Sequence, residues 1–410
     1  MPRVALTGWG VISPWADGVE GLTEAVFAGR SAIRALSERS DTGWPDRTAA
    51  WIDHFLPRAH FSPAQLATLD RTSQFAVVAG RDALQMAALP EDIDLTRCGV
   101  HVGTGMGSAG TAQEGFLRFY GPPPGRLKPL TVPTGMHNAA AAHIALDTGF
   151  MGANLTYCCA CASAAVAIGE AMRRIRYGEA DVMLCGGAEA LLYPSVVHAW
   201  DALRTLADKD AAAPERSCKP FDARRSGLVL GEGACFFVLE DWEHAEARGA
   251  EILAELVGFA TGSDSEHLTR PSVAGQARAM RAALQDAHLK PEQVGYINAH
   301  GTATHANDGA EAAAIRDVFG DHAPRLPVSS TKAVHGHLMG AAAAIELLIA
   351  IQALRRQEVP PTAHLQVVDA ECALDHVIGA ARPTPGLQVA MSNSFAFGGT
   401  TGVLIARRAP

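Results

Sequence analysis

The chain has no excess of positive charge. Its 34 Lys and Arg are outnumbered by 43 Asp and Glu, a net charge of -9. That balance argues against bulk attraction to nucleic acid or anionic lipid, so no nucleic-acid or membrane partner is expected and an acidic partner must dock on a local basic patch. Low-complexity tracts are missing too: 40 glycines and 23 prolines are spread along 410 residues with 48% hydrophobic content, the composition of an ordinary globular protein. The longest apolar run, LMGAAAAIELLIAIQAL (338–354), is broken by Glu346 and Gln352, so it reads as a buried helix rather than a membrane span. The start, MPRVALTGWGVISPW, lacks the long apolar core and cleavage site of a signal peptide. A cytoplasmic location is expected. Regular cysteine spacing is also absent: the eight cysteines (98, 158, 159, 161, 185, 218, 235, 372) follow no disulfide framework and read as reduced thiols.

What is present is an alternation of strand-like runs (VALTG, CGVHVG, NLTYCCA, DVMLCGG, CFFVLE, then ILAELVGFA, VGYINAHG, LPVSS, GVLIA) with Ala-rich helical segments. This is the pattern of an α/β layered fold with mainly buried strands. The polar segment DWEHAEARGA (241–250) is the best boundary and divides the chain into 1–245 and 246–410. Each part has a strand running into a glycine-rich turn, VHVGTGMG and YINAHGTAT, which points to an internal duplication.

Gly105–Gly110 matches G-x-G-x-x-G, but no Asp or Glu lies between Gly115 and Leu146, so a dinucleotide site lacks its ribose ligand and a tight turn beneath a pocket is the better reading. In TYCCACASAA, Cys158 and Cys161 form an isolated C-x-x-C with no second pair to complete a zinc site; no metal site is expected. Cys161 sits where a strand gives way to the helical SAAVAIGEAMRRIRYG. A helix N-terminus acidifies a thiol, and residue chemistry alone leaves Cys161 open between a nucleophile and inert packing. His300 follows a strand at a glycine turn. His337 follows Gly336 at the expected start of a helix, where the dipole favours neutral imidazole. Glu346 in its apolar helix needs a partner, and Lys332 is the candidate. SNSFAFGGTTG flanks Phe395 and Phe397 with glycines, the make-up of either a core strand with a loose turn or a movable gate with a backbone oxyanion site.

Taken together, ACAS around Cys161, YGEADVMLCGGAEA (177–190), NAHGTAT with His300, TKAVHGHLMGAAAAIE with Lys332 and His337, and the SNSFAFGGTTG segment resemble the elongating β-ketoacyl-acyl-carrier-protein synthases of the thiolase superfamily over essentially the whole chain. The resemblance implies a thiolase-like duplicated five-layer αβαβα fold with mixed sheets. It implies decarboxylating Claisen condensation of a Cys161-bound acyl group with malonyl-acyl carrier protein, in fatty acid or polyketide/polyene biosynthesis. Cys161 would be the acylated nucleophile; His300 and His337 would assist loss of carbon dioxide and stabilise the enolate. Lys332 would orient His337, with Glu346 holding Lys332. The N–H groups of Cys161 and Phe397 would form the oxyanion hole, with Phe397 as gate. Thr302 and Thr304 would bind the phosphopantetheine arm, and Met106 and Phe395 would line the acyl site. No cofactor is implied beyond the carrier's own arm. The partners implied are acyl carrier protein, docking on Arg126, Lys128 and Arg204, and a second ketosynthase-like subunit in a homodimer or heterodimer. The alternative is a non-catalytic chain-length-type partner subunit, a class that usually lacks the nucleophilic cysteine retained here.

Several positions depart from the family pattern. His305 and His335 add two imidazoles expected to crowd the site or bind metal. Ser226, Leu228, Thr131, Gly135 and Ala396 replace acidic, aromatic, bulky or glycine residues. These changes point to a specialised long or rigid, polyene-like acyl substrate.

Overall fold

The computed structural model describes residues 2–410. Ten strands form two sets of five. The first set is β1 (Val4–Ile12), β2 (Cys98–Gly103), β3 (Asn154–Tyr157), β4 (Val182–Glu189) and β5 (Gly233–Asp241), arranged β1-β5-β4-β2-β3. The second is β6 (Ala254–Ser263), β7 (Tyr296–Asn298), β8 (Pro327–Ser329), β9 (Val389–Phe395) and β10 (Thr400–Arg408), arranged β6-β10-β9-β7-β8. Both sets use their first, fifth, fourth, second and third strands in that spatial order. In both, the first three neighbours pair antiparallel and the rest parallel. The same path drawn twice is the duplication that the two glycine turns hinted at. β1 and β6 also pair through Ala5–Glu255 and Leu6–Ala254, which makes one hydrogen-bonded ladder that ends beyond β8 at the short strand Asp375–His376.

Five helices place the layers: α1 (Arg71–Ala87), α2 (Ser163–Arg176), α3 (Val273–Asp286), α4 (His305–Phe319) and α5 (Ala342–Arg356). α2 and α5 pack on each other and on strands of both sets, forming the middle layer, while α1 covers β1, β4 and β5 and α3 covers β6 and β10 from outside. The apolar run 338–354 thus supplies the central helix, buried from Ala342 to Ile351 without interruption. Small side chains permit this: α2 and the first turn of α5 are rich in alanine, so helices and sheets approach closely around the largest core. Strands β4, β5 and β9 are buried on both faces; β4 and β5 accordingly read as mainly apolar runs, whereas β9 buries the polar Ser392, Asn393 and Ser394.

Among the described residues no helix is long and apolar enough to cross a membrane. The chain returns to one place after β3, β7, β8 and β9, where Cys161, His300, Lys332 and Phe397 follow their strands. Loops leaving strand ends are where open α/β sheets carry their chemistry.

Candidate active site

β3 stops at Tyr157, three residues short of the expected strand, because the chain must turn sharply before α2. Ala160 takes φ +47, a left-handed backbone that an L-residue holds only when its surroundings demand it. Ser163 Oγ enforces the turn, accepting from the Cys159 N–H at 2.8 Å and donating to the Ala160 carbonyl at 2.6 Å. Cys161 lies in the resulting 3-10 turn Ala160–Ala162 and is 5% exposed. Cys158 is exposed, with its Sγ on the Gly105 carbonyl at 3.3 Å, and all eight thiols are free.

The expectation of an acidified thiol is overturned. Burial pushes Cys161 up to about 12, against the downward pull of Lys332 and of the Phe397 N–H facing the sulfur. Desolvation of a thiolate outweighs the field of one helix end. Cys161 therefore rests as a thiol, and charge on it must be stabilised as it forms.

His337 is also not at a helix start. Its backbone is extended, donating to the Val229 carbonyl at 2.6 Å and accepting from the Gly231 N–H at 2.9 Å, and α5 begins five residues later. What fixes the ring is local: the Met339 N–H donates to Nδ1 at 3.3 Å, so the proton of the neutral ring sits on Nε2, 3.1 Å from Cys161 Sγ. His300 is arranged likewise. Lys332 Nζ donates to its Nδ1 at 3.4 Å and to its carbonyl, leaving Nε2–H free. The rings stand edge to face at 5.4 Å. Burial first, then the Lys332 cation, hold both histidines well below their ordinary pKa, hence neutral at pH 7.

Lys332 thus serves His300, not His337 as expected, because the His300 carbonyl and Nδ1 are within its reach. Its pairing with Glu346 is as anticipated: both side chains are buried and in direct contact. Burial raises the Glu346 carboxyl while Lys332 pulls it back down. Glu311 of α4 holds the turn from below, accepting from the His300 and Gly301 N–H groups at 2.8 Å each.

Cys161, His300 and His337 line one cavity. Thr302 and Thr304 line it and bond each other at 2.9 Å. Phe395 stands edge-on to His300 at 6.1 Å. Phe397 is stacked on Trp200 at 5.9 Å, a partner from the other half that no local sequence signal announces. Leu228 lines the same wall, whereas Met106 does not: it sits 37% exposed on the Thr104–Gly107 turn, which correction removes it from this cavity. The two additional imidazoles do not crowd the site either. His335 is locked by Thr331 Oγ1 at 2.9 Å and the Gly336 carbonyl at 2.7 Å, and His305 is exposed at the start of α4. Of the three docking candidates, Lys128 is paired with Glu114 at 2.7 Å, while Arg126 and Arg204 are exposed. Sequence reading missed His267 and Arg270, which lie at the cavity in the 264–271 loop.

A sulfur and two imidazoles with ligand atoms within 4.8 Å of one another could also hold a metal ion. In the tautomer set by Met339 and Lys332, however, both rings offer protons to the cavity rather than lone pairs. That arrangement suits stabilising a developing oxyanion or enolate.

A thiol from one half facing two neutral imidazole donors from the other, within a duplicated α/β fold, defines a thiolase-like condensing enzyme. The chain belongs to the β-ketoacyl synthase family: residues 1–245 match its N-terminal domain and residues 253–366 its C-terminal domain. It is 37% identical over 409 residues to 3-oxoacyl-[acyl-carrier-protein] synthase 2 of Coxiella burnetii, covering 99% of this chain and 98% of that protein. It is 40% identical over 403 residues to nodulation protein E of Rhizobium meliloti, covering 98% of each. The crystal structure of a β-ketoacyl synthase from Burkholderia phymatum superposes with a TM-score of 0.92 at 36% identity, covering all of both chains.

Proposed function

We propose that the protein condenses an acyl group held on Cys161 with malonyl-acyl carrier protein, releasing carbon dioxide and yielding 3-oxoacyl-acyl carrier protein. The observation that carries this reading is the Cys161 Sγ to His337 Nε2 contact of 3.1 Å in a cavity that His300 shares. In the first half-reaction Cys161 Sγ attacks the carrier thioester, and its proton leaves with the carrier thiol. The oxyanion is met by the N–H groups of Cys161 and Phe397. One thioester replaces another, so transfer is nearly thermoneutral. In the second, malonyl decarboxylation forms an enolate whose oxygen accepts the two Nε2–H donors. Neutral donors stabilise the oxygen without protonating the carbon. The carbon attacks the acyl carbonyl and expels the Cys161 sulfur as a thiolate, which takes up one proton from solvent to restore the resting thiol. Thr302 and Thr304 hold the arm that delivers each substrate, and Phe397 on Trp200 gates the cavity, which keeps water from both intermediates.

No cofactor enters these steps; the free thiols agree with a cytosolic setting. A second ketosynthase-like subunit is the fitting cover for the open edge of β3 and for Met106, Phe116, Leu155 and neighbouring apolar side chains exposed along residues 106–155. Arg126 and Arg204, with Lys128 shared by Glu114, supply positive charge for an acidic carrier. Retention of Cys161, His300 and His337 favours the catalytic reading over a chain-length-type partner. Incubation with a panel of acyl carrier proteins and malonyl carrier protein tests it. Products two carbons longer than their primers are expected from the native chain and none from Cys161→Ala; equal product from both proteins refutes the assignment.

A further inference from the structure

Glu189 ends β4, is 0% exposed and takes no part in the steps above. Its Oε2 accepts the Gly105 N–H at 2.6 Å and the Gly340 N–H at 2.9 Å; its Oε1 accepts the Met106 N–H at 3.1 Å and the Thr104 hydroxyl at 3.3 Å. Two of the three N–H groups belong to the glycine turn of the first half, the third to the loop that carries His337 in the second. The loops meet backbone to backbone: a Cβ on Gly340 would lie 2.1 Å from the Gly105 nitrogen, and one on Gly187 2.9 Å from Ala341 Cα. A buried carboxylate with four donors and no cation among them is a large investment in holding two loops together.

The loop it holds is under strain. Met339, between His337 and Gly340, has φ +45, a left-handed conformation costly for a side chain of its size. In that conformation the Met339 N–H reaches His337 Nδ1 and thereby places the ring proton on Nε2, toward Cys161.

We propose that Glu189 is a positioning residue: by anchoring the Gly340 N–H to the sheet of the first half, it keeps Met339 strained, His337 in its Nε2–H tautomer and the two halves of the active site in register. This rests on the condensing reading for its consequence in turnover but not for its geometry. The carboxylate is specifically required, since every neighbour is a donor. An amide in its place turns an N–H₂ toward N–H groups and gives up the bonds to one oxygen. Burial raises the Glu189 carboxyl to about 7, while the Gly105, Met106 and Gly340 N–H groups and the Thr104 hydroxyl pull it back down by favouring the carboxylate.

The two half-reactions separate positioning from general support, because acyl loading needs Cys161 whereas malonyl decarboxylation needs the histidine donors. In the full chain, Glu189→Gln is expected to load acyl groups within about threefold of native and to lose tenfold or more in decarboxylation. Gly340→Ala, which keeps the carboxylate but drives the loop off it, is expected to give the same split. Nitrogen NMR of histidine-labelled protein, with the His337 signal assigned by His337→Asn, should show a single Nε2–H tautomer in native protein and a mixture in Glu189→Gln. Equal losses in both half-reactions in both variants, or an unchanged His337 tautomer, overturns the proposal. If native protein neither loads nor decarboxylates, the condensing reading fails, and the tautomer comparison still decides the role of Glu189.

Discussion

Replacing Lys332 by methionine keeps most of the side-chain volume and removes one charge from a pair in which both residues are 0% exposed. The Glu346 carboxylate is then left without its cation, a change that costs about 3–5 kcal/mol. With an unfolding entropy of about 2.1 cal/mol/K per residue, the 410-residue chain should lose about 3–6 °C in Tm. The loss depends on pH, with a definite sign. Burial lifts Glu346 from 4.5 to about 7 even with Lys332 present. A carboxyl that binds its proton more tightly folded than unfolded makes stability fall as pH rises from the unfolded value through the folded one. In native protein that decline spans about 4.5 to 7; without Lys332 the folded pKa climbs further, so the decline continues above 7. The deficit of Lys332→Met relative to native should widen there by up to about 1.4 kcal/mol per pH unit. Chemical unfolding at pH 6, 7, 8 and 9 measures it, alongside Lys332→Met/Glu346→Gln, in which no charge remains and most of the deficit should return. A deficit that is constant from pH 6 to 9, or a double variant no more stable than the single one, refutes the buried-pair reasoning.

Because burial pushes the Cys161 thiol to about 12, alkylation of Cys161 by iodoacetamide should accelerate about tenfold per pH unit from 7 to 9 without a plateau, as the thiolate fraction does; a plateau below pH 8 would show an acidified thiol. Trp200→Ala removes the ring on which Phe397 rests at 5.9 Å. A stacked pair is worth about 0.5–1.5 kcal/mol, so access of that reagent to Cys161 should rise by about two- to tenfold and bulkier acyl primers should load more readily. Unchanged access would mean that the stack does not close the cavity.

Much of this arrangement was legible in the sequence where it depends on local order. A strand, a small-residue turn and a helix placed Cys161; a strand and glycine placed His300; an acidic residue in an apolar helix demanded the Lys332 partner that it has. The failures share a cause. Whether His337 begins a helix is decided by pairing with residues 229–231, about a hundred positions away, so the helical look of HLMGAAAAIE misleads by five residues. The thiol's pKa follows from how completely both halves bury it, which no stretch around ACAS reports. The family resemblance pairs Lys332 with His337, while the fold brings it to His300, 32 residues before it. Glu189 lay inside a quoted motif, GGAEA, yet its four donors come from residues 83 to 151 positions away. Trp200 and Phe397 belong to opposite halves and meet only through the duplicated architecture.

The central claim is that one sulfur among eight carries the acyl chain. Intact-mass measurement after incubation with acyl-acyl carrier protein, followed by peptide mapping, tests it most directly. A single acyl adduct on Cys161, discharged with release of carbon dioxide when malonyl carrier protein is added, is the expected result. An adduct on Cys158 or Cys159 instead, or turnover with Cys161 never acylated, would contradict it.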